Sequence, residues 1–346
     1  MHKQLSQEVA EKLIAVGLYK RGERMKLCSS YLEIERCADC GKIMVHGAKL
    51  CRDRLCPTCN WRLSLRRYAS MSRVMQAVFQ AYPEYTYSLV TLTAKNCNSN
   101  ELSMYMSEMQ TAYNRCISQR WARTELAGWA RSIEVTYNPK TRQLHPHYHI
   151  ILACPLESTG NRLVTEWMRQ CTKRGLIVNW KAQDYSPITG KHTEGDSLAE
   201  AICEVYKYAI KSKDIAQMDA GTLYHLARQI SGKRLISSGG LIKKYMQMLD
   251  IEDMEKVTDE DGEDSVEVCT KCGSTELDHL VARWSMTGGH YHIHAETDDE
   301  DSKNIAKILE NNAKITQKEV KKAIADGNFT TQKLQKTIAK AVESDV

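Results

Sequence analysis

Three imidazoles at alternate positions, His145-Pro146-His147-Tyr148-His149, run directly into the apolar stretch Ile150-Ile151-Leu152. Successive side chains of a β-strand point to opposite faces. His145, His147 and His149 therefore share one face, and Pro146, Tyr148, Ile150 and Leu152 share the other. The preceding segment Ser132-Ile133-Glu134-Val135-Thr136-Tyr137 alternates in the same way, and Asn138-Pro139-Lys140-Thr141-Arg142 supplies turn chemistry between the two. This pattern predicts an antiparallel hairpin with its turn centred between Lys140 and Thr141. Glu134 then stands opposite His147 and diagonal to His149, on the same face. A one-residue slip would turn Glu134 to the wrong side. Two imidazoles and a carboxylate at one point suit a divalent cation with open positions, Mn²⁺ or Mg²⁺ beside a phosphate, with Zn²⁺ also compatible. His145 is a further donor on the same face.

Downstream, Ser197-Leu198-Ala199-Glu200 reads as a capping box that opens a helix running through Glu204-Val205-Tyr206-Lys207-Tyr208-Ala209-Ile210-Lys211. Leu198, Ala201, Ile202, Val205 and Ala209 form its apolar stripe. Glu204, Tyr208 and Lys211 fall at i, i+4 and i+7 and share a flank. A phenol there can attack phosphorus if a cation polarises the phosphate, since free tyrosine ionises only near pH ~10. Lys211 can steady the phosphate or the phenolate as a point charge. Read alone, the helix is an ordinary surface helix with a half-buried tyrosine.

Taken in order, three segments resemble the motifs of the HUH endonucleases, most closely the rolling-circle replication initiators of small plasmids. Tyr87-Ser88-Leu89-Val90-Thr91-Leu92-Thr93 resembles the first motif, a buried strand ending in Thr-Leu-Thr. His147-Tyr148-His149 resembles the metal-binding core, and the segment from Glu204 to Lys211 resembles the tyrosine motif. The resemblance covers about residues 37–213. It implies a palm-like, five-stranded antiparallel sheet, with Tyr208 as nucleophile and Glu204 as the residue that later activates water. Tyr206 is the runner-up nucleophile, without a glutamate four residues before it. The implied reaction is cleavage of single-stranded or locally melted origin DNA, leaving a 5′-phosphotyrosyl enzyme and a free 3′-OH. The implied partners are a host helicase and polymerase, in the cytoplasm of a plasmid-bearing bacterium or archaeon. An HUH transposase or mobilisation relaxase would share this chemistry. A non-catalytic zinc protein that binds DNA is the reading from a different class.

A second constellation precedes the first strand: Cys37 and Cys40, then Cys51, then Cys56 and Cys59. Two CxxC pairs fifteen residues apart predict a structural zinc on Cys37, Cys40, Cys56 and Cys59, with Cys51 a fifth candidate and Cys28 or His46 in competition. Thirteen cysteines is an odd count, and no secretory signal opens the chain, so bound thiolates are favoured over disulfides. The adjoining Trp61, Arg62, Arg66 and Arg67 suit phosphates and exposed bases on a helix. Plasmid initiators carry a similar cysteine, tryptophan and arginine segment, although a second arginine is usual where Leu63 stands.

Charge fits a DNA partner. Residues 251–346 carry a net −9 within the chain's total of +5, leaving +14 on residues 1–250. No apolar run is long enough to span a bilayer. The expected class is α+β, with residues 1–80 a helical and Cys-rich zinc-binding segment and 81–250 the catalytic domain around the antiparallel sheet. Residues 251–267 read as an acidic linker, and 268–346 as an accessory region with a helical tail, solvated or oligomerising. There Cys269 and Cys272 form one zinc knuckle, which His290, His292 and His294 could complete as a second Zn²⁺ site. Helices are expected near Val9 to Leu18, from Trp61 to about residue 80, over 101–127, over 163–174 and shortly before Met248. Residues 177–180 read as a strand and 232–240 as a basic loop.

Overall fold

The computed structural model describes residues 2–188, 197–207, 210–251, 268–269, 271–285 and 289–294. They form two compact units, one drawn from within residues 1–66 and 256–346, the other from within 67–255. The class is α+β with antiparallel sheets. The acidic run and the Lys-rich tail expected to be helical lie outside the described residues. No helix among the described residues is long and apolar enough to cross a membrane.

The first unit opens with helices α1 (His2–Ala15) and α2 (Tyr19–Lys26). Val9, Ala10 and Leu13 are the buried apolar positions of α1. It ends because Gly17 adopts φ 82°, letting Gly17 N–H reach Ile14 O and Leu18 N–H reach Leu13 O, the double closure that a glycine after the last turn permits. Strands β1 (Tyr31–Cys37) and β2 (Ile43–Ala48) then form a hairpin. They are joined by β8 (Leu277–Trp284) and β9 (Tyr291–His294) from the far end of the chain, in the order β2-β1-β8-β9. Leu32, Ile34, Ile43, Val45, Ala282, Tyr291 and Ile293 make the core of this sheet. His292 and His294 thus belong to a strand that completes a sheet with the N-terminal hairpin, and His290 directly precedes it. Helix α3 (Pro57–Ala81) begins in this unit and ends in the next.

The second unit is built on a five-stranded antiparallel sheet, β6-β3-β5-β4-β7. Its strands are β3 (Thr86–Thr93), β4 (Gly128–Asn138), β5 (Gln143–Cys154), β6 (Asp184–Pro187) and β7 (Ile236–Gly239). The β4–β5 hairpin has the expected register, with Glu134 paired to His147 and Val135 to Pro146. Asn138 Oδ1 accepts from the N–H groups of Lys140 and Thr141 at 3.0 and 3.3 Å, and Arg142 takes a left-handed φ of 56°. An Asx turn of this kind fixes the register through the loop itself. Strand β5 is central and buried on both faces, so its alternation separates two packed surfaces. On the Tyr148 face lie α4 (Leu102–Ile117) and α6 (Thr159–Lys173). Tyr113 and Trp167 bring their rings to 5.8 and 5.9 Å from that of Tyr148. The histidine face is covered by α7 (Ser197–Tyr206).

Several local expectations need correction. The helix expected over 101–127 is two helices, α4 and α5 (Arg120–Glu125), because Gln119 turns extended at φ −65°, ψ 155°. Residues 177–180 are not a strand. Asn179 accepts from Lys181 N–H and caps a short 3₁₀ turn over Trp180–Ala182, and the strand comes later as β6. The expected loop over 232–240 contains β7, whose pairing with β4 is main-chain work that its small side chains do not advertise. Gly240 opens α10 (Gly240–Met248) at φ 57°, where a Cβ would lie 2.2 Å from Ala127 O. The helix expected to continue through Lys211 stops at Tyr206. Lys211 is extended, at φ −69° and ψ 135°, and precedes α8 (Ser212–Gln217), followed by α9 (Ala220–Gln229).

Candidate functional site

The hairpin register places Glu134, His147 and His149 with their donor atoms within 4.8 Å of one another. His147 Nε2 and His149 Nε2 each lie 3.0 Å from the same carboxylate oxygen, Glu134 Oε2. All three side chains are buried. The far side of each ring is also fixed: His147 Nδ1 is 3.2 Å from His145 O, and His149 Nδ1 is 3.2 Å from Thr91 Oγ1. Partners of this kind set the tautomer and aim the opposite nitrogen inward. Both ring nitrogens of His147 face oxygen acceptors, so a single ring proton serves only one of them. Glu134 Oε1 is buried with no hydrogen-bond partner among the described residues. An ion held by the two Nε2 atoms and the carboxylate would satisfy both deficits, so this donor set fits a divalent cation.

The charges nearby come from the end of α7 and the segment after it. Lys207 Nζ lies 2.7 Å from Glu134 Oε2 and pairs with Glu204, three residues earlier. Glu204 Oε1 is 3.4 Å from His149 Nε2, and Lys211 Nζ is 3.5 Å from Glu134 Oε1. Burial alone would push the Glu134 carboxyl up, but hydrogen bonds from His147, His149 and Lys207, with the Lys207 charge, hold it far below the usual carboxylate range. Burial pushes His149 down, against the pull of Glu134, which favours the neutral ring that a metal requires.

Of the residues expected here, Glu134, His147, His149, Glu204 and Lys211 come together. His145 does not join the group, because its Nε2 is hydrogen-bonded to Thr93 Oγ1. Tyr208 and Ala209 lie outside the described residues, as does the Ser197 side chain of the expected capping box. Tyr206 is fully buried, its hydroxyl lacks a partner among the described residues, and burial raises its pKa. It is ill-placed to meet a substrate. Lys207 was not singled out by its sequence, although its i+3 spacing from Glu204 was a readable signal.

The cysteines contradict the expected single tetrahedron of Cys37, Cys40, Cys56 and Cys59. Two separate groups form instead, Cys28, Cys51, Cys56 and Cys59 in one and Cys37, Cys40, Cys269 and Cys272 in the other. Each CxxC pair closes with a different partner pair because β1 and β2 carry the first knuckle to the β8 side of the sheet. The Cys269–Cys272 knuckle is thus completed by Cys37 and Cys40, not by histidines. Sulfur separations are 3.4 to 3.6 Å in the first group and 3.5 to 3.6 Å in the second. A zinc about 2.3 Å from each corner of a tetrahedron places sulfurs about 3.8 Å apart, so both groups fit such an ion. Burial pushes the Cys56 thiol up, yet its hydrogen bonds with Cys28, Cys51, Cys59 and Ser6 drive it well down. Cys269 is likewise buried but held at about 7, chiefly by the N–H groups of Cys272 and Lys271. None of the thirteen cysteines is in a disulfide.

Of the four side chains expected to meet DNA, three are covered. Trp61, Arg62 and Arg67 are buried, at 9 %, 6 % and 6 % exposure, and Trp61 stacks on His2 at 5.3 Å. Only Arg66 of those four keeps a partly exposed side chain.

Residues 42–292 match the family described as Replication protein. A "Protein rep" of Streptococcus pneumoniae is 28 % identical over 282 residues, covering 78 % of this chain and 83 % of that protein. Another from Bacillus amyloliquefaciens is 27 % identical over 287 residues, covering 74 % and 83 %. A third from Lactiplantibacillus plantarum is 27 % identical over 300 residues, covering 81 % and 90 %. No solved structure matches the chain. With the family matched over most of its length and the motifs in order, the chain belongs to the replication protein family.

Proposed function

We propose that this chain initiates rolling-circle replication of a plasmid by nicking one strand of its origin through Tyr208, on an HUH palm formed by the five-stranded sheet. One observation carries the reading: the tyrosine segment meets the histidine hairpin. Lys207 reaches Glu134 at 2.7 Å, Glu204 reaches His149 at 3.4 Å, and Tyr208 is the next residue in the chain after Lys207.

Glu134, His147 and His149 would hold a divalent cation, Mn²⁺ or Mg²⁺. When bound, such an ion supplies a Lewis acid for the scissile phosphate. The Tyr208 oxygen attacks phosphorus and gives up its proton, and the bond from phosphorus to the 3′ oxygen breaks. That oxygen takes a proton and leaves as a free 3′-OH, while the 5′ phosphate stays on the tyrosine. Lys207 and Lys211 place positive charge where a phenolate and a phosphate need it. At termination Glu204 acts as general base for water, so one chain can release its own adduct. The 3′-OH then primes a polymerase on DNA opened by a helicase. The two four-cysteine groups are structural zinc sites in this reading.

The test uses the full chain, an origin-strand oligonucleotide and Mn²⁺. Tyr208→Phe is expected to abolish nicking and the covalent adduct while leaving DNA binding intact. Glu204→Ala is expected to nick but to release its adduct on the order of 10²–10⁴-fold more slowly. Nicking that survives Tyr208→Phe contradicts the proposal.

A further inference from the structure

The sheet face turned away from His147 and His149 carries a cavity of about 490 Å³, bounded by α4, β4 and residues 233–243. Arg131 of β4 lines it. The side chain is only 4 % exposed, with its guanidinium carbon 4.4 Å from the ring centroids of both Tyr113 and Tyr148. Nη2 donates to Gln110 Oε1 at 2.6 Å and to Ser237 Oγ at 3.0 Å. Nη1 is buried and has no hydrogen-bond partner among the described residues.

A buried guanidinium is normally matched by a carboxylate. Among the described residues no Asp or Glu lines this cavity, whereas Lys233, Arg234 and Lys243 do. The two ring faces offset part of the charge, but they cannot accept the in-plane protons of Nη1. An oxyanion entering the cavity would accept them.

We propose that this cavity binds the phosphate of a small phosphorylated molecule of nucleotide size. With Nη2 held by Gln110 and Ser237, Nη1 offers its in-plane protons to phosphate oxygens, and the neighbouring lysines add charge without geometric demand. The volume falls within the range of small-molecule sites. Trp129, also on the lining, offers an indole for a base, with its ring 5.4 Å from that of Tyr113. A guanidinium so deeply covered suits a compact phosphate group better than a DNA backbone tracking the surface. The site uses none of the proposed nuclease residues and does not depend on that reading.

The test is calorimetric titration of the full chain with ADP, ATP and inorganic phosphate at fixed salt. Saturable binding of at least one probe is expected. It should be lost in Arg131→Gln, weakened at least about tenfold in Lys233→Ala/Lys243→Ala, and unchanged in His147→Ala/His149→Ala. Lys233 and Lys243 are not in the core, so the double variant reports even if Arg131→Gln fails to fold. Absence of saturable binding by all three probes overturns the proposal, as does equal binding by the lysine variant. Stoichiometric displacement of the nucleotide by a single-stranded oligonucleotide lacking a terminal phosphate also overturns it, and would assign the cavity to DNA.

Discussion

At Glu134 one carboxylate oxygen receives His147, His149 and Lys207, while the other is buried with no hydrogen bond among the described residues. That asymmetry makes the residue sensitive to a change that keeps its shape. Glu134→Gln is expected to lower Mn²⁺ affinity at least about 100-fold, read by Mn²⁺ spin resonance, because the negative charge of a ligand is lost while its shape is kept. Thr91 acts one step further out, on His149 Nδ1. Thr91→Val preserves volume but frees the ring, and should weaken Mn²⁺ by roughly 10- to 100-fold without moving the thermal midpoint by more than a few degrees. Unchanged affinity in Thr91→Val would mean that packing alone orients the ring.

At the scale of elements, the β4–β5 hairpin and its partners carry the site. Trp167 of α6 is fully buried, lies 5.9 Å from the Tyr148 ring and donates to Thr93 O at 3.3 Å. Trp167→Ala is expected to cost about 3–5 kcal/mol, read as a lower urea midpoint. The hairpin was legible because strict alternation and an Asx-type turn fix both face and register. Lys207 and the stop at Tyr206 were not, since the helical side-chain pattern continues past the point where α7 ends. Strand β7 was illegible for a related reason: short edge strands are held by main-chain pairing, which leaves little side-chain pattern. The burial of Trp61, Arg62 and Arg67 was not legible, because interspersed arginines and aromatics read the same whether they face DNA or protein.

At the scale of the whole molecule, β1 and β2 share one sheet with β8 and β9, and Cys37 and Cys40 share one group with Cys269 and Cys272. Spacing counts could find the knuckles but not their partners, since Cys37 and Cys272 meet across 235 residues of sequence. Two zinc ions per chain are expected by elemental analysis. Cys40→Ser/Cys272→Ser should reduce this to one, and a strong chelator should open the β1–β8 pairing, seen as faster amide exchange in both strands. Retention of two ions in that variant would refute the pairing of Cys37 and Cys40 with Cys269 and Cys272 through metal.

All of the proposed chemistry requires that Tyr208 take the phosphate beside the Glu134, His147 and His149 group. Mass spectrometry reads this in the tryptic digest, after the full chain is incubated with Mn²⁺ and a single-stranded origin oligonucleotide whose cleaved product cannot religate. A nucleotide adduct is expected on the peptide containing Tyr208, localised by fragmentation to that residue and absent when Mn²⁺ is omitted. An adduct on Tyr206 or on any other residue, or none under conditions where the DNA is cut, would contradict that assignment.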